Sequence, residues 1–318
     1  MNVVSGRSSA YVWRMAIKDN LHALRDQPFI GPVARRLMGA AEPLVNVVRL
    51  SGVIGGNSTP FNQSLSLATV AADLEAAFSN KSAKAVALAI NSPGGSPVQS
   101  ALIVKRIRAL SAEKEIPVFA FIEDVGASGG YMLALAGDEI YADENSVVGS
   151  IGVVSAGFGF KHLIDRVGIE RRIYTAGESK AMLDPFKDED PKDVEHLKKL
   201  QAEVHESFKQ MVRDRREGKL TAPESELFTG SFWTGATAKG LGLIDGLGDI
   251  RSVMREKFGD KTNLRLVRSS GGLFRRKQPS VATTGDTRPD APLLNTANLV
   301  EDSLQALETR ALWSRFGL

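Results

Sequence analysis

Ser128 is the residue whose setting speaks first of chemistry. It stands in Gly126-Ala127-Ser128-Gly129-Gly130, just after the apolar run PVFAFI at 117–122 and ahead of a helical segment reaching Ala136. Glycines permit a sharp turn and let a substrate backbone come close. The free N–H groups and positive dipole of a helix N-terminus favour a developing oxyanion. Hydrolase nucleophile elbows use the same arrangement. A serine between glycines also commonly caps a helix, so the segment alone leaves both readings open. A second glycine turn, Asn91-Ser92-Pro93-Gly94-Gly95, likewise follows an apolar run and opens a helix. In a parallel sheet both turns lie at the carboxyl ends of strands, where α/β sites form. Side by side they could offer two backbone N–H donors to one oxyanion, or be two ordinary strand-to-helix turns.

The base that would activate the serine is harder to find. The chain has four histidines, His22, His162, His196 and His205. None lies in a loop with catalytic turn chemistry: His196 and His205 fall on a charged helix and are expected to be solvated, His162 begins a helix, and His22 sits in a basic arm. No Ser-His-Asp triad emerges, and the histidines lack metal-ligand spacing. With zero cysteines, thiol catalysis, disulfides and thiolate metal sites are excluded. A lysine can serve instead when burial or nearby positive charge keeps it neutral near pH 7. Lys180 is a candidate, in Tyr174-Thr175-Ala176-Gly177-Glu178-Ser179-Lys180, read as following a strand and preceding Pro185-Phe186. Most lysines are solvated surface residues, and composition alone favours that for Lys180.

These residues need elements to position them. VNVVRL (45–50), AVALAI (85–90), PVFAFI (117–122), EIYA (139–142) and IGVVS (151–155) read as strands. Helices are predicted from Leu67, Val70, Leu74 and Phe78, and over 97–112 with Ile103, Ile107 and Leu110 on one face. The alternation argues for an α/β fold with mostly parallel pairing. It fits a doubly wound sheet and a spiral of repeated units equally. Residues 187–219 form a long charged helical segment with Val194, Leu197, Leu200, Val204, Phe208 and Met211 as its apolar stripe, ending at Gly218. Compact structure resumes over 220–257.

The 318 residues carry a net charge of +3, 43% apolar and 24% charged residues, which fits a soluble globular protein. The positive excess belongs to residues 1–40, where Arg7, Arg14, Lys18, Arg25, Arg35 and Arg36 face only Asp19 and Asp26. No finger spacing or aromatic-basic interleaving accompanies them, so no nucleic-acid partner is expected. Trp13, Ile17, Leu21 and Leu24 give this arm an amphipathic helix, suited to peripheral contact at a membrane surface or to packing on the body or a neighbouring subunit. No apolar run reaches the ~18–20 residues of a spanning helix, and no signal-peptide pattern appears. A cytoplasmic location, peripheral at most to the inner face of a membrane, is expected. The domain reading is an arm over 1–43, a compact domain over 44–268, a polar linker over 269–292 and a C-terminal helix over 293–318 with Val300, Leu304, Leu307 and Ala311 as its stripe.

Taken together, NSPGG (91–95), GASGGYMLA (126–134), GSIGV (149–153), the segment ending at Lys180 and WTGATAKGLGLIDGLG (233–248) resemble the signal peptide peptidase A, or protease IV, family in order and spacing. The resemblance runs from Val45 to Asp249. It implies a Clp protease/crotonase-like fold of repeated β-β-α units. It implies Ser128 as nucleophile, Lys180 as general base, Ser150 orienting the lysine amine, and the Gly95 and Gly129 N–H groups as oxyanion hole. It also implies short or unfolded peptides, such as spent signal peptides, as substrates, a ring- or dome-shaped homo-oligomer, and neither metal nor cofactor. Two other readings use the same scaffold: an acyl-CoA enzyme, and a non-catalytic membrane-associated scaffold. In a ring, a tethered tail from 269–318 would be able to lie in a neighbouring site.

Overall fold

The computed structural model describes residues 42–55, 64–177, 179–268, 306–307 and 309–317. The predicted N-terminal amphipathic helix and the 269–292 linker lie outside the described residues. Strand β1 (Leu44–Ser51) is followed by α1 (Leu67–Ser79), β2 (Ala83–Ser92), α2 (Pro97–Lys114), β3 (Val118–Ala127) and α3 (Gly129–Ala134). Then come β4 (Glu139–Ala142), β5 (Val147–Gly149), α4 (Lys161–Arg166), α5 (Pro191–Arg215) and α6 (Glu224–Leu227). The body closes with β6 (Phe232–Thr234), α7 (Gly235–Gly240), β7 (Gly246–Leu247), α8 (Ile250–Phe258) and β8 (Asn263–Leu266).

The strands run β6-β5-β3-β2-β1-β8, parallel except for the antiparallel β5–β6 pair. Strand β3 forks. Its first half, Phe119–Ile122, pairs with β4, which pairs onward with β7; its second half, Val125–Ala127, pairs with β5. The fork separates a spiral of strand-strand-helix units from a doubly wound sheet, a choice that periodicity left open.

At the fork the β2–β3 register jumps from Ile90↔Ile122 to Ser92↔Gly126, so β3 carries extra residues at Glu123 and Asp124. Such bulges bend a strand and re-aim the side chains beyond them. Asn91 fastens this one: its Nδ2 donates to Asp124 Oδ2 (2.6 Å) and its Oδ1 accepts from the Val125 N–H (3.2 Å).

Side chains alternate along each central strand, and both faces are apolar. Val48, Leu50, Val86, Leu88, Ile90, Val118, Ala120 and Ile122 meet α1, α2 and α3 in the main core. Val45, Val47, Phe119 and Phe121 meet Val253 and Met254 of α8 on the second face. There β2 contributes only Ala85, Ala87 and Ala89, which leaves that face shallow.

Two expected strands are corrected. The strand expected over 151–155 lies instead at Val147–Gly149: Ser150 has φ 52°, which no strand tolerates, and the chain leaves the body after it. No strand precedes Lys180; residues 171–175 are irregular and mostly exposed. In α5 the expected stripe is buried only at Phe208, joined by Val212, while Leu200 and Val204 stay exposed.

Candidate active site

Ser128 is carried by the end of β3 and occupies the N-cap position of α3 with φ 53° and ψ −121°. For a residue with a Cβ this is strained backbone, worth roughly 1–3 kcal/mol, held only where the surroundings impose it. Here the Ser128 N–H donates to the Gly149 carbonyl (2.8 Å), and the Ser128 carbonyl accepts from the Met132 N–H (3.0 Å). The hydroxyl makes no capping hydrogen bond. The helix-cap reading of this serine therefore fails: position and strain are those of an elbow, and the Oγ of this half-buried residue is left available.

The two glycine turns meet. A Cβ on Gly94 would stand 2.8 Å from Ser128 Cβ and 3.0 Å from Gly129 N; one on Gly129 would stand 3.3 Å from Gly95 N. The Gly94–Gly95 turn is itself pinned to Ile54, whose N–H donates to the Gly94 carbonyl (2.9 Å) and whose carbonyl accepts from the Ser96 N–H (2.8 Å). A Cβ on Gly95, at φ 140°, would lie 2.1 Å from the Ile54 carbonyl oxygen, so no other residue fits. Beneath the turn, the fully buried Ser92 donates to the Gly52 carbonyl (2.7 Å) and accepts from the Gly94 N–H (3.2 Å). The Gly129 N–H opens α3 and has no partner within the helix. One N–H at the start of α3 and one in the turn before α2 are thus brought near one serine.

Ser150 is buried, at φ 52°, one residue beyond the carbonyl that receives the Ser128 N–H. Its own N–H donates to the Ser231 carbonyl (2.7 Å), at the entry to β6. On the other side, His205 Nε2 donates to the Ile151 carbonyl (3.1 Å). His205 is therefore half-buried and engaged, where the sequence suggested a solvated side chain: α5 lays this part of its surface over the loop after Ser150. His162 and His196 lie on α4 and α5, and His22 lies outside the described residues. No group of metal-ligating side chains is found among the described residues.

Lys180 is exposed, in the turn after Gly177, to whose carbonyl its N–H donates (3.3 Å). Among the described residues no hydrogen bond joins it to Ser128 or Ser150. The chain thus brings Ser128, Gly95, Gly129 and Ser150 together, and leaves Lys180 apart on an arm spanning 154–190. The arm has a small hub of its own. Phe160 packs on Phe186 (5.5 Å), Arg171 lies over the Phe186 ring (4.6 Å) and pairs with Asp184 (3.1 Å). The Phe186 N–H, with Arg171 beside it, holds the Asp184 carboxyl below its usual range. The rest of the arm's apolar surface faces water: Phe158 is 71% exposed, Ile169 58% and Tyr174 90%, with Val154, Leu163 and Val167 similar.

The last motif, over 233–248, works as support. Tyr131 of α3 donates to the Leu243 carbonyl (2.7 Å). The buried Arg216 donates to the Gly242 carbonyl and to Asp245 (2.7 Å), and Asp245 accepts from the Ile140 N–H (2.8 Å). Trp233 fills the space that a Cβ on Gly149 would need.

A strained serine at a parallel strand end, with a second glycine turn against it, has the geometry of a nucleophile elbow on an α/β scaffold. Residues 111–262 match peptidase family S49. A Synechocystis protein named "Putative protease slr0021" is 32% identical over 200 residues, covering 60% of this chain and 70% of that protein. An Arabidopsis thaliana protein named "Serine protease SPPA, chloroplastic" is 33% identical over 175 residues, 54% of this chain and 25% of that one. This chain belongs to peptidase family S49. A Brucella abortus relative named "Na(+)/H(+) antiporter NhaA" is 52% identical over 283 residues, 89% of this chain; the chain spans 38% of that relative's length. No helix among the described residues is long and apolar enough to cross a membrane.

Proposed function

We propose that this chain is a serine endopeptidase acting on short or unfolded peptides, spent signal peptides among them, through an acyl-enzyme. Ser128 is the nucleophile and Lys180 the general base. The observation that carries this reading is the Ser128 elbow, strained and with its hydroxyl uncommitted, in contact with the Gly94–Gly95 turn.

Ser128 Oγ attacks the scissile carbonyl carbon while its proton passes to the Lys180 amine. The carbonyl electron pair moves onto oxygen, and the Gly95 and Gly129 N–H groups donate to that oxyanion. Collapse restores the carbonyl and breaks the C–N bond, with the Lys180 ammonium protonating the departing amine. Water then attacks the Ser128 ester, giving its proton to Lys180, which returns it to Ser128 Oγ as the acid leaves. The Ser150 hydroxyl orients the lysine amine.

The lysine must be out of water to act as a base, and in the single chain it is exposed. We infer that the site is completed when the arm's bare apolar surface packs on another copy of this chain, so that Lys180 works beside a neighbour's Ser128. Large exposed apolar patches mark such contacts. This accords with the expected ring- or dome-shaped oligomer.

The test uses three preparations and a peptide substrate. Ser128→Ala and Lys180→Ala should each abolish hydrolysis, and an acylating peptide inhibitor should label Ser128 by mass spectrometry. Mixing the two inactive variants under exchange should restore part of the activity. Undiminished turnover in either variant, or label on another residue, overturns the assignment. Mixed variants that stay inactive after proven subunit exchange overturn the pairing between copies.

A further inference from the structure

The second face of the sheet carries an open groove of about 770 Å³, away from Ser128. Its floor is Val47, Ala89, Phe121, Leu264 and Leu266, hollow because β2 offers only alanines to this face. Its rim is acidic on balance: Glu123, Asp124, Asp143 and Asp249 stand against Arg49 and Arg251. The C-terminal segment reaches the groove, since Phe316 lines it and meets the Phe232 ring edge-on at 5.1 Å.

The terminal helix shows which of its faces is sheltered. Thr309, Leu312, Trp313 and Phe316 are partly buried, whereas Arg310, Ala311, Ser314 and Arg315 are exposed. Positions i, i+3, i+4 and i+7 form one helical face. This corrects the stripe expected from Leu307 and Ala311, both of which lie outside it. The exposed Arg310 and Arg315 give the described part of this helix a charge opposite in sign to the rim's balance. Reach is ample: β8, which lines the groove, ends at Leu266, and the roughly 40 residues from there to Leu307 span up to ~130 Å when extended.

We propose that this groove is the seat of the chain's own C-terminal helix, anchored by Phe316 and Trp313. Through Phe232 the seated helix braces the strand on which Ser150 rests. Phe232 is paired with Gly149, and the Ser231 carbonyl holds the Ser150 N–H. The brace draws its meaning from the peptidase reading, but its test needs no turnover.

Because the sequence has no cysteine, Asn145→Cys on the groove with Ser314→Cys on the exposed face of the helix introduces the only two thiols and keeps Phe232, Trp313 and Phe316. A short bis-maleimide should join them within one chain. Cross-linking only between chains, or none, overturns the seat. Hydrogen exchange on the full-length Phe316→Ala chain gives an independent reading that keeps Phe232. Amides of 264–267 and the Ser150 amide should exchange about tenfold faster, the effect of losing one aromatic pair. Unchanged exchange at 264–267 overturns the seat, and faster exchange there with an unchanged Ser150 amide overturns the brace. If Ser128→Ala proves fully active while the cross-link and exchange results hold, the peptidase assignment fails and the seat stands.

Discussion

Ser128 bears a backbone cost that the proposed nucleophile role explains. At φ 53° and ψ −121° a glycine is relaxed where serine is strained. Ser128→Gly should therefore melt a few degrees higher than Ser128→Ala, while both lose hydrolysis by about 10⁴-fold or more; differential scanning calorimetry beside a peptide assay checks this. Much of the residue-level site was legible in the sequence, because glycines punctuate it. The run around Ser128 and the Gly94–Gly95 turn announce themselves as tight turns after apolar strands. Asn91 and His205 did not. Asn91 acts on residues 33 and 34 positions away, and His205 on a carbonyl 54 positions away. No local pattern encodes a hydrogen bond made across the fold.

At the scale of elements, the forked strand decides where Ser128 points. The bulge at Glu123–Asp124 ends pairing with β4 and begins pairing with β5. Asn91→Ala should release it. We expect kcat/KM to fall by roughly 10–100-fold, the scale of misplacing a reacting group by about 1 Å, with a melting temperature only a few degrees lower. A variant with wild-type kcat/KM would show that the bulge holds without Asn91. Strands β1 to β3 were readable because their apolar residues are continuous and buried on both faces. The strand at 147–149 was misplaced to 151–155 because VVG and IGVV are equally β-branched. Pairing with β3 chooses between them, and the left-handed backbone at Ser150 is invisible to propensity.

For the whole molecule, Asp245 is one of the carboxylates that tie stability to pH, and the one paired with a buried arginine. Burial pushes its pKa up, but hydrogen bonds from Arg216, Lys219 and the Ile140 N–H outweigh burial and hold it below the ordinary value. A carboxyl depressed in the folded state contributes stability above its unfolded pKa of about 3.9. That contribution fades as pH falls through the lower folded value. Melting temperature should thus drop as pH is taken below about 4, and Asp245→Asn should remove Asp245's share of that dependence. At neutral pH the same variant strands a buried Arg216, 2% exposed, and should cost about 3–5 kcal/mol. The arm makes a second prediction at this scale. Ile169→Asp places a charge on the surface proposed to pack on another copy, so light scattering should show smaller particles and peptide turnover should fall together. A mass equal to wild type would remove the arm from the contact. The arm's separation from the body has a kinetic corollary. If nucleophile and base meet only between chains, a freshly made solitary chain is latent. Its specific activity should collapse on dilution and recover on concentration, so crowding would act as the on-switch without any bond being cut.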